Sequence, residues 1–140
     1  MKFLKDILLY GVCILVVGYT TFSLYQGIKP IKTYEFKSIE IETPIVKKGE
    51  SVVYWVDFCK FTDNSVTSSR VLRKKDFTYI SAAPVIITLN PSGCRKVKTS
   101  TIVPNEAPAG TYTIESTQVV DFGKREVTTK YTTGEFEVVE

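Results

Sequence analysis

The sequence predicts an all-β protein, an antiparallel sandwich of seven strands preceded by one N-terminal transmembrane helix. Three observations support this prediction. The N-terminal region contains a long run without charged residues, and the rest of the chain is rich in valine, isoleucine, threonine, tyrosine and phenylalanine. These β-forming residues occur in short runs separated by proline, glycine, asparagine and serine, at a spacing typical of sandwiches. A length of 140 residues allows one such domain.

The N-terminal run, 7–25, contains 19 residues and no charge. As a helix rising about 1.5 Å per residue it would reach roughly 28 Å, close to the hydrocarbon core of a bilayer at about 30 Å. Tyr19, Phe22 and Tyr25 gather toward one end, as interfacial aromatic residues do. No Ala-x-Ala cleavage site follows this long run, so an uncleaved anchor is favoured over a removed signal peptide. Cys13 is expected to be a small apolar residue of the helix rather than a lipidation site.

The domain organisation and the localisation follow from this helix. The predicted segments are a cytoplasmic tail (1–6), a transmembrane helix (7–25), a linker (26–33) and a β-sandwich (34–140). The tail before the helix is short, and the two cysteines of the β-rich part suggest an oxidising compartment. We therefore expect a single-pass inner (plasma) membrane protein with a cytoplasmic N-terminus and a periplasmic or extracellular C-terminal domain.

The seven strands are predicted from alternating apolar residues between turn signals. They are expected at about 34–43, 51–61, 69–80, 85–89, 94–103, 111–120 and 126–139. The alternation changes phase near Ser38 and again near Gly134, which suggests a β-bulge at each place.

The stretch "IVPNEAPAGTYTIES", 102–116, resembles the connection between the fifth and sixth strands of bacterial and phage immunoglobulin-like and fibronectin-III-like domains. In these domains a proline-rich turn leads through glycine into a Gly-x-Tyr strand start, which Gly110 and Tyr112 match. The resemblance covers 34–140 and implies a seven-stranded immunoglobulin-like sandwich. It leaves two roles open for Tyr112: a corner residue whose hydroxyl binds nearby backbone, or a core aromatic at a strand start.

In such a sandwich the second and fifth strands are antiparallel neighbours, so Cys59 at the end of one lies beside Cys94 at the start of the other. This arrangement implies a disulfide within one sheet, closing a loop of about 35 residues and contributing roughly 3–4 kcal/mol. Alternation places Cys59 on the outer face with Trp55 and Asp57, unless a bulge reverses the face. Two free thiols are the alternative if the domain faces the cytosol.

The sequence contains no histidine, so it lacks the commonest general base and the commonest metal ligand at neutral pH. Carboxylates such as Glu40 and Glu42 follow the i, i+2 spacing of a solvated sheet face. Basic and acidic residues interleave at a net charge of +3, which does not indicate a nucleic-acid site. We expect neither an enzyme nor a cofactor, a metal, a nucleic acid or a small-molecule substrate.

Two groups of loops are candidate contact surfaces. The end of the sandwich nearest the predicted helix should face the membrane, and its candidate residues are Phe122, Lys124 and Arg125. The opposite end is the more reachable surface for a partner, and its candidate residues are Lys47, Lys48, Asn105 and Glu106. Pairing through the first or the last strand as a sheet edge is another mode of binding.

The predicted function is a non-enzymatic, membrane-anchored interaction module that presents an immunoglobulin-like domain outside the cytoplasm. Its expected partners are the membrane and another envelope protein. By analogy with small anchored phage proteins, it could be a phage-encoded, envelope-modifying protein of the superinfection-exclusion kind. The alternative is a structural subunit of a pilus-like or virion assembly, whose strands pair between copies.

Overall fold

The structure, a computed structural model, describes residues 2–140, with the backbone alone at 2–6, 8, 9, 27 and 28. These residues form one helix and ten strands. The chain divides into two compact units, one ending at Ile31 and the other running from Lys32 to Glu140. The first unit contains the helix α1 (Lys2–Ile28). The strands of the second are β1 (Tyr34–Ile41), β2 (Ile45–Lys47), β3 (Ser51–Lys60), β4 (Val66–Lys74), β5 (Ile80–Ala82), β6 (Ile86–Thr88), β7 (Gly93–Ile102), β8 (Gly110–Asp121), β9 (Glu126–Thr132) and β10 (Phe136–Val139).

The helix is present, but the membrane prediction based on it is not supported. Over the residues that the structure describes, no helix combines the length and the hydropathy needed to cross a bilayer. This finding overturns the localisation as a single-pass inner membrane protein and removes the support for a transmembrane helix at 7–25. The prediction relied on the absence of charge, whereas glycine, threonine, serine and tyrosine interrupt the apolar residues of this run. The side chains of the predicted tail, 1–6, lie outside the described residues, and α1 continues to Ile28, into the predicted linker.

The second unit is a β-sandwich of two sheets that differ in width. The small sheet has three strands in the order β1-β3-β7, and both pairs are antiparallel. The large sheet has the order β2-β10-β8-β4-β5, with β6 also pairing with β4 and β9 with β8. Its pairs are antiparallel except for β2 and β10, which run parallel. The sheet is therefore wide on the side of β4, where both β5 and β6 extend it.

Most of the predicted strands are found, with three corrections. The segment predicted as one strand at 69–80 ends at Lys74 in a turn where Phe77 has φ +60°, and β5 starts only afterwards. The segment predicted at 126–139 is divided into β9 and β10 around Gly134, and the pairing with β8 shifts by one residue across the gap. Strand β2 falls within a predicted loop because three residues are too short to show alternation. The bulge near Ser38 is confirmed by a register shift between Phe36 and Ser38.

The core lies between the inner faces of the two sheets. Along β3 the residues Val52, Tyr54, Val56 and Phe58 alternate with more exposed neighbours and are buried. The large sheet contributes the buried residues Leu72, Tyr112, Ile114, Phe136 and Val138. On one side of the sandwich β1 lies against β9. There the rings of Phe36 and Tyr131 are 4.7 Å apart, and the hydroxyls of Thr33 and Thr129 are hydrogen-bonded at 3.0 Å.

Candidate functional site

The two sheets are not matched on the other side of the sandwich. The small sheet ends at β7, whereas the large sheet continues past β4 into β5 and β6. Ser81, Ile86 and Thr88 pair with Leu72, Ser68 and Val66, whose side chains are buried, so they share the inner face. Within the described part of the chain, no strand of the small sheet lies beyond β7 to cover them. We call this region, between β7 and β5–β6, the open side.

Two cavities occupy the open side. The larger, about 370 Å³, is lined by side chains that include Leu72, Ile86, Thr101 and Pro104. The smaller, about 210 Å³, extends from the open side between the two sheets as far as Phe36 and Tyr131, and its lining also includes Phe58, Val97 and Gln118. Arg70 and Ile86 border both cavities, and the lining of neither contains an aspartate or a glutamate. The open side is thus a cleft whose walls combine apolar and neutral polar residues, with a basic group at its middle.

Arg70 extends from the inner face of β4 to the edge of the small sheet. Its Nη1 donates to the carbonyl oxygen of Ser100 on β7 at 2.9 Å. Its Nε is buried without a hydrogen-bond partner, and among the described residues Arg70 forms no ion pair. The guanidinium therefore crosses the cleft with its Nε donor unused and with no ion pair to a described residue.

The cleft has further polar groups. Thr101 is 5% exposed, and its Oγ1 has no partner among the described residues. On the floor of the smaller cavity, Gln118 Nε2 donates to Ser68 Oγ at 3.0 Å and to Ser116 Oγ at 2.9 Å. Burial raises the pKa of the Tyr131 hydroxyl, and the positive charge of Arg70 acts in the opposite direction. The floor is internally satisfied, so Arg70 and Thr101 are the groups left to meet a ligand.

Strand β7 has a free edge along the cleft. Val53 donates through its N–H to Thr43 Oγ1 and accepts at its oxygen from the N–H of Glu42, so its backbone faces β1. Val53 lies opposite Ser100, and this is therefore a non-hydrogen-bonded pair of the β3–β7 ladder. The N–H and C=O of Ser100 consequently face away from β3, as do those of Lys96, Lys98 and Ile102 by alternation.

The lysines of β7 do not protect this edge. Lys96 Nζ contacts Glu40 Oε2 at 2.8 Å, and Lys98 Nζ contacts Glu42 Oε1 at 2.7 Å. Both ammonium groups lie over the ring of Trp55, 5.8 and 5.6 Å from its centre. Because both glutamates are on or next to β1, the lysine side chains cross β3 and leave the free edge uncovered. Charged side chains at the edge itself are one of the devices that protect natural edge strands.

These ion pairs also lower the pKa of the two glutamates. The hydrogen bond from Lys96 holds the pKa of Glu40 below its ordinary value, and that from Lys98 does the same for Glu42. Trp55 Nε1 donates a further hydrogen bond to Glu42 Oε2 at 2.8 Å. Trp55 is therefore part of a charged network on the outer face, which explains why it faces away from the core.

The predicted disulfide is confirmed. Cys59 and Cys94 are directly opposed on β3 and β7, and their sulfur atoms are bonded at 2.02 Å. The bond lies on the outer face, as alternation with Phe58 indicates, and it joins the edge strand to its neighbour. Cys13, on α1, is a free and exposed thiol.

The loops predicted to be membrane-proximal are gathered at one end of the sandwich. Phe122, Lys124 and Arg125 belong to the β8–β9 turn, which contains Gly123 at φ +80° and is closed by a bond from Phe122 N–H to the oxygen of Arg125. Asn64 Nδ2 donates to Asp121 O at 2.8 Å, linking this turn to the loop after β3. Their membrane contact depended on the overturned localisation and is withdrawn.

At the same end, Lys60 is buried, and its Nζ donates to the carbonyl oxygens of Asn64 and Asn90. Burial lowers the pKa of this lysine. Asp63 Oδ1 accepts from the N–H of Ser92 at 2.6 Å. These contacts tie the loops to one another, and over the residues described no cluster of cysteine, aspartate and glutamate could hold a metal ion.

The candidate partner-facing residues also come together, at the opposite end. Lys48 pairs with Glu140 at 2.9 Å, and the turn at Gly49 is bonded to Val103. Asn105 lies against Gly49, where an added Cβ would be 2.3 Å from its Oδ1. Lys47 and Glu106 are exposed. The contact of these loops with a partner stays a prediction.

The residues of the Gly-x-Tyr motif have structural roles. Tyr112 is fully buried, and its hydroxyl donates to Pro108 O at 2.6 Å, so it is at once a core aromatic and a corner residue. Gly110 has φ +143°, which favours glycine, and Lys74 lies close to it. Neither residue borders the open side.

Comparison with known proteins is limited to the fold. No family model and no curated protein matches the chain. Among solved structures it is similar to the C-terminal domain of wzt, at 11% identity and a TM-score of 0.51, over 79% of this chain and 75% of that one. It is also similar to a Niemann-Pick type C2 protein from Japanese carpenter ant, at 13% identity and a TM-score of 0.50, over 79% of this chain and 96% of that one. At these identities the likeness shows a shared β-rich fold and nothing about ligands.

Proposed function

We propose that the β domain is a non-enzymatic interaction module of immunoglobulin-like type, which accepts an extended segment of a partner protein as an additional strand on β7. The observation that carries this proposal is the free edge of β7, which lies beside two cavities and opposite the inner face of β5 and β6 that no described strand of the small sheet covers. Strand addition to an exposed edge is a recurring mode of peptide recognition.

The strand order supports this view. In a constant-type immunoglobulin sandwich one sheet has four strands, in the order A-B-E-D, and the other is formed by C, F and G. The small sheet here has three strands and ends at β7, in the position of E. A partner segment on β7 would occupy the fourth position and lie opposite the uncovered inner face of β5 and β6.

The chemistry of the site fits an extended polypeptide. The backbone groups of Lys96, Lys98, Ser100 and Ile102 that face the free edge would pair with the main chain of the incoming strand. The Ser100 oxygen, which accepts from Arg70, would accept a second hydrogen bond through its other lone pair. Every second side chain of that strand would enter the cavities, beside apolar residues such as Ile86 and Val97. Main-chain hydrogen bonds then provide affinity, and the inward side chains provide specificity.

A different protein is a better partner than a second copy. Strand β7 contains Arg95, Lys96 and Lys98 and no acidic residue. A second copy added through its own β7 would therefore bring no acidic side chain to Arg70. It would instead place a second set of basic residues at the same edge. The alternative of a structural subunit whose copies pair by strands therefore has less support.

The test measures amide hydrogen exchange of the full chain with a panel of synthetic ten-residue peptides. Threonine would occupy the outward positions and valine the inward ones, with one inward position varied through valine, glutamate, glutamine and lysine. We expect at least one peptide to slow exchange at Lys96, Lys98, Ser100 and Ile102. Protection at another edge, or at none, would overturn the proposal.

A backbone variant tests whether the peptide pairs with the edge of β7 itself. Ser100→Pro removes an N–H that faces the free edge and does not serve the β3–β7 ladder, and proline is tolerated on edge strands. It should abolish protection by the peptide, whereas Ser100→Ala, which keeps the N–H, should bind like the wild type. Equal binding by Ser100→Pro would show that the peptide does not pair with β7.

A further inference from the structure

We infer that the partner segment carries an acidic side chain that enters the cleft and pairs with Arg70; this inference rests on the proposed function and names the chemistry of its ligand. The occupant is thus an extended segment with an aspartate or glutamate among apolar inward residues.

The unpaired charge of Arg70 is the first support. The guanidinium borders both cavities, and the hydrogen bond that it donates across the cleft goes to a neutral carbonyl, that of Ser100. A partly buried cation is stabilised by a counter-charge, and within the described residues neither cavity lining offers one. A carboxylate of the ligand would supply this counter-charge.

The hydrogen-bonding capacity of the cleft is the second support, and it is independent of the charge. Arg70 Nε and Thr101 Oγ1 are buried without partners, and both residues border the larger cavity. Thr101 is 5% exposed, so its hydroxyl has no ready access to bulk solvent. A carboxylate has two oxygens and can accept from a guanidinium in parallel as well as from a hydroxyl. An apolar ligand would leave both donors unsatisfied.

The geometry also gives the position of the acidic residue. Arg70 reaches β7 at Ser100, which lies between the inward-facing Thr99 and Thr101. An added strand would direct an inward side chain into the cleft beside one of these threonines. We expect the acidic residue of the partner segment at this position. The inward residue of the segment two positions away, toward Val97, should be apolar.

The experiment is a double-mutant cycle on the full chain, measured by calorimetry. Two peptides of the panel differ only in glutamate or glutamine at the inward position. Wild type should bind the glutamate peptide about 10- to 100-fold more tightly, as expected for a charge-assisted pair. In Arg70→Gln the two peptides should bind within about threefold of each other.

Arg73→Gln is the matched control. Arg73 is on the same strand but on the outer face, where it pairs with Glu115 at 2.8 Å. This variant should keep the full preference for glutamate. If Arg70→Gln does not fold, Arg70→Lys keeps the charge without the bidentate geometry and should show a reduced preference.

The outcomes separate the inference from the proposed function. Protection of the β7 amides with equal affinity for both peptides in wild type would refute the acidic side chain and leave strand addition standing. A glutamate preference that persists in Arg70→Gln would assign recognition to another group and overturn the role of Arg70. Failure of every peptide to protect β7 would overturn the proposed function itself.

Discussion

The two sides of the sandwich differ in how the sheets meet. On the closed side β1 lies against β9, with the Phe36 and Tyr131 rings 4.7 Å apart and a hydrogen bond between Thr33 and Thr129. On the open side the crossing contact is a hydrogen bond from Arg70 to Ser100 O, flanked by cavities of about 370 and 210 Å³. The same pair of sheets is therefore packed on one side and separated on the other.

This difference teaches that sheet width, rather than any single residue, creates the candidate site. A large sheet extended by β5 and β6 faces a small sheet that stops at β7. Atoms that line an unfilled space lose the dispersion contacts they would make in a close-packed core. Stability should therefore depend mainly on the closed side, and the open side should tolerate substitution better while it determines binding.

The largest effect on the free energy of unfolding is expected when one residue from each side is replaced and the two losses are compared. Tyr131→Ala removes a buried ring that joins β9 to β1 and should lower the free energy of unfolding by about 3–5 kcal/mol. Ile86→Ala removes a side chain that is 44% exposed in the open side and should cost about 1 kcal/mol or less. Urea unfolding of the full chain measures both. Equal losses would mean that the open side is as well packed as the closed one.

The second prediction concerns the disulfide. Strand β7 has a neighbour on one side only, so the bond from Cys94 to Cys59 is the covalent support of the free edge. Replacing both cysteines with alanine should lower the free energy of unfolding by about 3–4 kcal/mol, from the entropy of a loop of 35 residues. Urea unfolding of the variant and of the reduced wild type should agree.

Cys13→Ala is the matched control for this experiment. Its thiol is free and exposed on α1, so its removal should leave the unfolding of the β domain unchanged. A loss as large as that of the double variant would show that thiol chemistry, and not the crosslink on β7, determines the result.

Much of the small sheet could be predicted from the sequence, because it depends on local alternation. Val52, Tyr54, Val56 and Phe58 mark the inner face of β3, and Cys59 follows on the outer face. The disulfide partner followed from the expected neighbours of β3. The phase change at Ser38 gave the bulge of β1.

The open side could not be predicted, because sheet width depends on which distant strands pair. Strand β5 has only three residues, and the division of 69–80 into β4 and β5 leaves no periodic signal. One signal was available, however. Ser68 and Arg70 occupy inward positions between Val66 and Leu72, where a packed strand would have apolar residues. Polar residues in the inward phase indicate a site, although they do not say what fills it.

The smallest expected effect involves the ion pairs that keep the lysines of β7 away from its free edge. Lys96 and Lys98 hold the pKa of Glu40 and Glu42 below the ordinary value of 4.5. Because the pKa is lower in the folded state, this stabilisation is complete above the unfolded pKa and is lost as the pH falls through the folded pKa. Urea unfolding should therefore show wild type slightly more stable than Glu40→Gln/Glu42→Gln at pH 7, with the difference shrinking below about pH 4.

Glu106→Gln, an exposed loop substitution, should show no such pH-dependent difference. A gap between wild type and the double variant that stays constant down to pH 3 would mean that the pairs do not contribute through charge, and that the lysines are held over Trp55 by the ring alone.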